Sequence, residues 1–430
     1  MEDAPEPPLG VGCTTLPPRT RTCYSFAVPA TPPTVFEPAP FGPLTLRNRL
    51  LKAATFEGRT PDALVTDELV EFHRRIAAGG IAMTTMAYVA VAPEGRTHRE
   101  QVHLREEALP GLVRLTDAVH AEGAHVAAQV GHAGPVANGR SNGRHAIAPT
   151  AMPNPMSMQM VRRASSADLD RVLRDYVQGA RLAVRAGFDA LELHLGHGYL
   201  LSSFLSPLSN RRRDAYGGSL GNRAAYPRRV VRAVKEEVGD EVAVYAKLGM
   251  TDGVRGGLQV EEALDVASWL EADGCLDAME LSAGSSLLNP MYLFHGPVPL
   301  QEFAAAMPKP LSWGMARWGG RFLKEYPYKP AFLLDTAIRF RERLELPLVA
   351  LGGLDTADAM TRAREAGFEF VALGRSLVRD PDLPRRFESG EARRSTCIHC
   401  NRCMPSIYSG TRCLLDDPEP LQITRQGAAS

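Results

Sequence analysis

The 430-residue chain lacks an excess of charge of either sign, because Lys and Arg together number 49 and Asp and Glu also number 49. A chain without net charge gives no support for nucleic-acid binding or for attraction to a membrane surface. No apolar run is long enough to span a bilayer, and the proline-rich start of the chain does not resemble a signal peptide. We therefore expect a cytoplasmic protein with no nucleic-acid or membrane partner.

The cysteines are few and unevenly placed. There are seven, an odd number, and four of them crowd into one short segment as Cys397, Cys400, Cys403 and Cys413. In a large chain without a secretion signal, such a group indicates metal or iron–sulfur ligation before it indicates disulfides. Four soft ligands suit a [4Fe–4S] cluster or zinc, and free thiols remain the third alternative.

No G-x-G-x-x-G motif stands between an early strand and a helix, which argues against the rival fold, an open dinucleotide-binding sheet. From Phe36 onward, short apolar runs alternate with helical patterns. There are eight such runs: Leu50–Ala54, Ile81–Met86, His125–Val130, Ala190–His194, Val242–Leu248, Ala278–Leu281, Leu346–Leu351 and Phe370–Leu373. Apolar strands that alternate with helices predict parallel pairing, so the expected fold is α/β, a closed (β/α)8 TIM barrel.

The segments that flank this region do not show the alternation of strands and helices. Residues 1–35 are rich in proline and offer little apolar surface, which predicts a disordered leader or a misassigned start. Residues 36–390 form the predicted barrel and residues 391–430 a Cys-rich tail. Within the barrel, residues 285–330 are too long for an ordinary link and contain two of the three tryptophans. We expect this insertion to form a lid over the active-site mouth and to favour a homo-oligomer.

The end of the fourth predicted strand carries the strongest chemical signal. His194, His197 and Tyr199 fall within six residues, where a purely structural strand would end in a short turn. Hydrogen-bonding and proton-carrying groups at a strand end are typical of the catalytic rim of a barrel enzyme. A lone histidine or tyrosine there is more often a satisfied polar group or part of the core, but three together are not.

Other strand ends suggest a bound ligand. Gln129 ends the third strand with an amide that suits a flat heterocycle, and Lys247 ends the fifth, where burial requires a negative partner or an internal ion pair. The last two strands end in ALGGL and LGRSL, which contain Gly352, Gly353, Gly374 and Arg375. Barrels commonly bind phosphate at these two loops, although two tight turns and a surface arginine would look the same.

Long motifs in the chain resemble the old yellow enzymes and their 2,4-dienoyl-CoA reductase relatives, which are FMN-containing (β/α)8 oxidoreductases. The resemblance covers about Phe36 to Phe387. It rests on FGPLTLRNRLLKAAT, the Q-x-x-H-x-G segment Gln129–Gly134, the H-x-x-H-G-Y-L-L-x-x-F-L-S-P segment His194–Pro207, NRRRDAYGGSLGNR and VALGRSLVRDPDL. The third and fourth of these motifs are long and specific.

The resemblance implies a role for each matching position. Thr55 lies where the family contacts the flavin C4 carbonyl region, Gln129 where it pairs with the pyrimidine edge, and Lys247 where a basic residue faces N1 and the C2 oxygen. The residues implied at the phosphate are Gly352, Gly353, Gly374 and Arg375. His194 and His197 match the pair that binds the substrate carbonyl oxygen, and Tyr199 matches the proton donor.

The implied reaction is the reduction of an activated alkene, an enone or dienoyl compound, by NAD(P)H through FMN. Negative charge that builds on the carbonyl oxygen is stabilised by imidazole N–H donors, and a tyrosine with a pKa near ~10 can protonate the α-carbon. The sequence does not decide between NADH and NADPH as the reductant. The alternatives are an oxidative iron–sulfur flavoprotein dehydrogenase, a non-catalytic flavin- or phosphate-binding barrel, and a non-flavin aldolase-type barrel.

Three features depart from the family pattern. Pro135 stands where many relatives have arginine, and Lys247 keeps the charge of the usual arginine but not its forked geometry. The cysteine motif of the tail is similar to the [4Fe–4S] motif of dienoyl-CoA reductases and trimethylamine-dehydrogenase-like proteins. Its last spacing is shorter, and no FAD/NAD(P)H module follows in this sequence.

Overall fold

The computed structural model describes residues 34–155, 157–307 and 311–418, without the side chains of Leu311 and Tyr408. The predicted leader, with Cys13 and Cys23, lies outside the described residues except for its last two positions. Of these, Val35 is buried and its carbonyl accepts a hydrogen bond of 2.7 Å from the amide of Arg49.

The centre of the molecule is a closed barrel of eight parallel strands, each paired with the next in chain order. The strands are β1 Leu50–Lys52, β2 Met83–Ala90, β3 His125–Gly131, β4 Ala190–Leu195, β5 Ala243–Gly249, β6 Ala278–Ser282, β7 Leu348–Ala350 and β8 Phe370–Leu373. Pairing of Val371 with Leu50 closes the ring. The predicted (β/α)8 barrel and all eight of its strands are confirmed, and the closed ring excludes the rival open sheet.

A helix follows each strand on the outside of the barrel. These helices are α1 Asp67–Ala78, α2 Leu109–His120, α3 Ser166–Arg185, α4 Leu220–Val238, α5 Val260–Ala272, α6 Leu334–Arg341, α7 Ala357–Glu365 and α8 Leu383–Glu388. The joints after α3 and α7 are turned by Gly187 and Gly367, with φ of 85° and 88°. A left-handed residue here ends the helix and directs the chain into the next strand.

The amino-terminal end of the barrel is closed by a hairpin of two short strands, Ala39–Phe41 and Leu44–Leu46. Phe41 is fully buried and packs edge-on against Tyr245 at 5.3 Å and Phe370 at 5.1 Å between ring centroids. Since this end is filled by aromatic rings, a ligand has access only to the opposite end, where the strands finish. Active sites of such barrels lie at that end.

Short helices and strands lie at the carboxyl end of the barrel. A three-stranded sheet, Ile147–Ala148, Met152–Asn154 and Gln159–Arg163, and the helix Gly139–Asn142 follow β3, and the helix Leu200–Leu205 follows β4. The insertion after β6 contains the helices Leu300–Ala305 and Leu311–Phe322, and the helix Arg375–Arg379 follows β8. In the insertion, Trp313 and Phe322 are 64% and 79% exposed. Among the described residues, no helix combines the length and apolar character needed to cross a membrane.

The Cys-rich tail is packed onto the loop that follows β1. The amide of Thr411 donates to the carbonyl of Glu57 at 2.7 Å, and its hydroxyl donates to the carbonyl of Phe56. Arg59 donates to the carbonyl of Thr411 at 3.0 Å. Gly58 lies directly against the carbonyl of Ile407, so a Cβ at Gly58 would overlap that oxygen. The tail is thus attached to the rim by backbone contacts that leave no room for a side chain.

Substitution of Gly58 by alanine should release this attachment, and Gly143 offers a matched control. Both glycines have a left-handed φ, of 62° and 63°, but nothing lies within 4 Å of a Cβ built on Gly143. We expect Gly143→Ala to cost about 1 kcal/mol from backbone strain alone. Gly58→Ala should cost more and expose the tail to limited proteolysis. If the two variants have equal free energies of unfolding in urea and equal rates of proteolysis, the tail is not docked on the loop after β1 in this way.

Candidate active site at the carboxyl rim

The two histidines and the tyrosine predicted from the sequence come together at the end of β4. The ring of His194 lies 4.5 Å from that of Tyr199 and 4.9 Å from that of His197, measured between centroids. His197 has a φ of 61°, a left-handed conformation that is uncommon for a residue with a side chain. This strained turn brings the second imidazole back over the strand end, which a regular strand could not do.

Two further residues complete this cluster, and the sequence motifs did not single them out. Ser282, the last residue of β6, has its hydroxyl 2.7 Å from Nε2 of His197. Tyr88 of β2 packs its ring 5.2 Å from Tyr199 and donates its hydroxyl to the carbonyl of Gly95. The only signal for either was its position near the end of a predicted strand. Ser282 orients His197, and Tyr88 forms a wall beside Tyr199.

Both imidazoles are held neutral. Burial lowers the pKa of His197 to about 3, with a smaller contribution from the positive charge of Lys247. Burial, together with His197 and Lys247, also places the pKa of His194 well below its ordinary value. A neutral imidazole still carries one N–H, and Nδ1 of His194 is buried without a hydrogen-bond partner in the described structure. The pair can therefore donate to a ligand oxygen without carrying charge.

A layer of polar side chains crosses the barrel interior at the same end, contributed by consecutive strands. Lys247 of β5 places its Nζ 2.7 Å from Glu192 and 2.9 Å from Glu280, and Gln129 of β3 donates its amide to the second oxygen of Glu192 at 2.6 Å. All four are at most 5% exposed. Lys247 thus makes the internal ion pair that its burial required, and the amide carbonyl of Gln129 is left for another donor.

Lys247 remains charged in this setting. Burial alone would lower the pKa of the Lys247 ammonium, but the carboxylates of Glu192 and Glu280 outweigh it and the net direction is upward. The family resemblance implies that this lysine offers a positive charge to a ligand. The two carboxyl groups change that expectation, because the local charge of the group is set by three side chains together.

Thr55 and the glycines at the ends of β7 and β8 form the opposite side of the rim. The hydroxyl of Thr55 is buried and has no hydrogen-bond partner in the described structure. A Cβ on Gly374 would meet only the methyl of Thr55, at 3.8 Å, so space for a ligand adjoins both residues. Gly352 and Gly353 have φ of 104° and 74°. An unsatisfied hydroxyl beside open backbone fits a polar, flat cofactor such as flavin.

Arg375 is less free than the sequence suggested. One nitrogen of its guanidinium, Nη1, donates to the carbonyls of Phe294 at 2.7 Å and His295 at 3.3 Å, and to the side chain of Asn401. These contacts tie the end of β8 to the insertion and to the Cys-rich tail. Only the remaining N–H groups of Arg375 can reach an anion.

The four tail cysteines line a common cavity, with Arg375 on its wall. All four thiols are free and half-buried. Burial raises the pKa of the Cys403 thiol to about 12, and the three other thiols add to this against Arg375. Among the described residues, no group of three or more His, Cys, Asp or Glu side chains is arranged to hold a metal ion.

A separate cavity of about 560 Å³ lies beside α3. Its walls include Glu94, Arg144, Arg162, Arg171 and Asp175, and the pairs that Arg171 makes with Glu94 and Asp175 satisfy much of the charge. None of the site residues predicted from the sequence borders it. The candidate site is therefore the rim cluster around His194.

Comparison with known proteins identifies the family. The NADH:flavin oxidoreductase / NADH oxidase family matches residues 34–282. The chain belongs to this family. It is 54% identical over 385 residues to the 4,4'-dithiodibutanoate disulfide reductase of Rhodococcus erythropolis, covering 90% of this chain and 96% of that protein. The resemblance to the old yellow enzyme superfamily is confirmed, and the chain is an NAD(P)H-dependent flavin oxidoreductase that acts on a small-molecule substrate.

More distant relatives define the limits of the match. The metal reductase of Desulforamulus reducens is 29% identical over 87% of this chain, but the chain spans only 52% of its length. The solved old yellow enzyme homologue of Zymomonas mobilis has a TM-score of 0.68 and 23% identity, over 86% of this chain and 96% of that one. The structural likeness supports the fold.

The low pKa of His197 makes stability depend on pH in a predictable direction. The unfolded chain binds a proton at His197 near pH 6.5, while the folded protein does not until about pH 3, so stability is fully present above pH 6.5 and falls below it. Asparagine tolerates the left-handed φ and does not titrate. Between pH 7 and pH 5, the free energy of unfolding of the wild type should fall by about 1 kcal/mol more than that of His197→Asn. This difference is smaller than the full pKa shift implies, because the ring is partly exposed and solvent screens it.

The control for this measurement is His145→Asn, which changes an exposed histidine outside the rim. It should keep the pH dependence of the wild type. If His197→Asn also keeps it, the imidazole is not held neutral by burial.

Proposed function

We propose that the flavin is FMN and that its ring system lies at the carboxyl rim, against Thr55, Gln129 and Lys247. Gly352, Gly353 and Gly374 would hold the phosphate through backbone N–H groups, assisted by the N–H groups of Arg375 that face away from the insertion. The observation that carries this proposal is the buried, unpartnered hydroxyl of Thr55 beside the open space at Gly374. Bound FMN supplies hydride transfer between NAD(P)H and the substrate.

We propose that the substrate is an activated alkene whose carbonyl oxygen is bound by His194 and His197. Two neutral N–H donors stabilise negative charge as it develops on that oxygen, which favours the transition state over the ground state. Ser282 holds His197 in the required orientation at 2.7 Å. Tyr199, next to His194, donates the proton to the α-carbon.

A second candidate is the reduction of an organic disulfide. It is favoured by the relative from Rhodococcus erythropolis, because its 54% identity extends over nearly its whole length. In this reaction NAD(P)H and one proton convert a disulfide into two thiols. The same groups of this chain would serve, since His194 and His197 can donate to the departing thiolate and Tyr199 can protonate it.

We propose that the tail binds a [4Fe–4S] cluster through Cys397, Cys400, Cys403 and Cys413. The support is that the four thiols line one cavity, and four cysteine thiolates are the ligand set of such a cluster. His399 and Asn401, between the cysteines, have φ of 56° and 60°, conformations that turn the chain around a central group. A cluster here is also what the oxidative dehydrogenase alternative requires, so its presence alone does not decide the direction of electron flow.

Tyr199→Phe tests the proposed reaction, with Tyr88→Phe as a matched control. NADPH should bleach the bound flavin anaerobically in both variants, because neither hydroxyl takes part in that step. Reoxidation by cyclohexenone should slow by about 10²–10⁴-fold in Tyr199→Phe and stay near wild type in Tyr88→Phe. The measurement is stopped-flow absorbance of the flavin.

The same experiment separates the candidates. Recolouring by 4,4'-dithiodibutanoate but not by cyclohexenone would establish the disulfide reaction. Equal reoxidation rates in Tyr199→Phe and wild type would remove the proton-donor role. Protein that neither contains FMN as purified nor takes it up would overturn the proposal as a whole.

Iron and acid-labile sulfide in anaerobically purified protein test the cluster. We expect about four of each per chain. Cys403→Ser should lose both, whereas Cys275→Ser, which removes a half-buried thiol outside the tail, should retain them. Zinc in place of iron, or no metal with unchanged proteolytic stability of the tail, would contradict the assignment.

A further inference from the structure

If all the charged side chains inside the barrel were ionised, their charges would not sum to zero. Five of them, Lys52, Glu57, Glu192, Lys247 and Glu280, are at most 2% exposed. Lys52 is already engaged, since its Nζ lies 2.9 Å from Glu57 and 2.9 Å from the carbonyl of Thr85. This leaves the single ammonium of Lys247 facing two carboxyl groups.

The two carboxyl groups around Lys247 are not equivalent. Glu192 has both oxygens bonded, one to Lys247 at 2.7 Å and one to Gln129 at 2.6 Å. Glu280 makes an ion pair through Oε1, 2.9 Å from Nζ of Lys247, at an angle outside the range of a hydrogen bond. The two carboxyl groups are neighbours, because each lies within 2.9 Å of the same nitrogen, Nζ of Lys247. Two carboxylates that share one ammonium carry one negative charge in excess, which a proton held between them would neutralise.

Among the described residues, the other cation near this group is Lys52, whose charge also acts on Glu192 but is already neutralised by Glu57. Glu280 faces Lys247 and Tyr245 from β5, Glu192 from β4 and the apolar Val349 of β7. Lys52 of β1 is paired with Glu57, and the imidazoles at the rim are neutral. Burial raises the pKa of the Glu280 carboxyl, Lys247 opposes this and Glu192 adds to it, with a net rise. Two adjacent buried carboxyl groups cannot both ionise without a large energetic cost.

We propose that Glu192 and Glu280 share one proton above Lys247, so that the three side chains together are neutral, and that this proton balances the charge of the cofactor. The second part rests on the proposed position of FMN. Lys247 would face FMN bound at the proposed position, where hydride transfer would add one negative charge. The carboxyl pair then binds its proton more tightly, and at a pH where it had lost the proton it takes one up from solvent. Reduction and protonation of the barrel interior are thereby coupled.

The shared proton can be detected without measuring turnover. Infrared difference spectra of the holoenzyme between pH 6 and pH 9 should contain the carbonyl band of a protonated carboxylic acid, shifted in D₂O. Glu280→Gln should abolish this band. Glu94→Gln is the control, because it removes a buried carboxyl that is paired with Arg171 and is ionised throughout this pH range, and it should leave the band unchanged. The absence of the band in wild type, or its loss only in Glu94→Gln, would overturn the proposal.

The coupling to the cofactor is tested by the midpoint potential of the flavin as a function of pH. In Glu280→Gln the potential should equal that of wild type at pH 6 and exceed it at pH 9, giving a shallower slope. A shift of equal size at every pH would mean that Glu280 is always ionised and would refute the shared proton. Glu192→Gln should give the same result and serves if Glu280→Gln does not fold. A protein without flavin but with the infrared band would refute only the proposed function and the coupling.

Discussion

The contact between Lys247 and its two carboxyl neighbours connects the fold of this protein to its chemistry. In the closed parallel barrel Gln129 is the register partner of Glu192, and Lys247 is the partner of Glu280. Glu192 and Lys247 are offset by two residues, and the long lysine side chain joins the two pairs into one layer. An isolated ammonium buried at this depth would strongly destabilise the fold. Removal of the Lys247 ammonium would in turn leave a buried carboxylate without a positive partner. The layer therefore fixes both the interior packing and the electrostatic environment of the rim. The low pKa of each rim histidine follows partly from this same lysine.

The rim itself is assembled from segments that are far apart in the chain. Arg375 joins the end of β8 to carbonyls of the insertion and to Asn401 of the tail. His399 stacks on Tyr328 at 3.5 Å and pairs with Asp355 at 3.1 Å, next to the loop after β7. Residues between the cysteines thus contact both the insertion and the proposed phosphate loop. Ordering of the tail and ordering of the mouth are consequently not independent.

Much of this architecture could be predicted from the sequence, because it depends on local patterns. Continuous apolar runs indicated all eight strands, and their alternation with helical patterns indicated the closed barrel. His194, His197 and Tyr199 could be grouped because they are adjacent in sequence. Residues brought together only by the barrel were harder to find. Glu192 and Glu280 look like ordinary members of LELHL and AMELS, and only the strand register reveals that both face Lys247.

The same limit applies to Arg375, Ser282 and Tyr88. A glycine–arginine pair after the last strand indicates an anion site, yet it does not reveal that one guanidinium nitrogen is already bound by insertion carbonyls. Ser282 ends a strand whose sequence contains no catalytic motif, and Tyr88 lies within a buried strand. Each acts through a neighbour that is distant along the chain. Such residues become visible only when tertiary contacts are known.

The two candidate reactions make the same demand on the charged and polar groups, which is why the site geometry supports both. In each proposed reaction an acceptor atom would gain negative charge beside two neutral imidazoles, and a tyrosine hydroxyl would supply the proton. Discrimination between an alkene and a disulfide must therefore come from shape, through Tyr88 beside Tyr199 and through the insertion that begins at Ser285, whose backbone pairs with His197. Binding free energy from that surface, rather than the catalytic groups, sets which acceptor reaches the histidines.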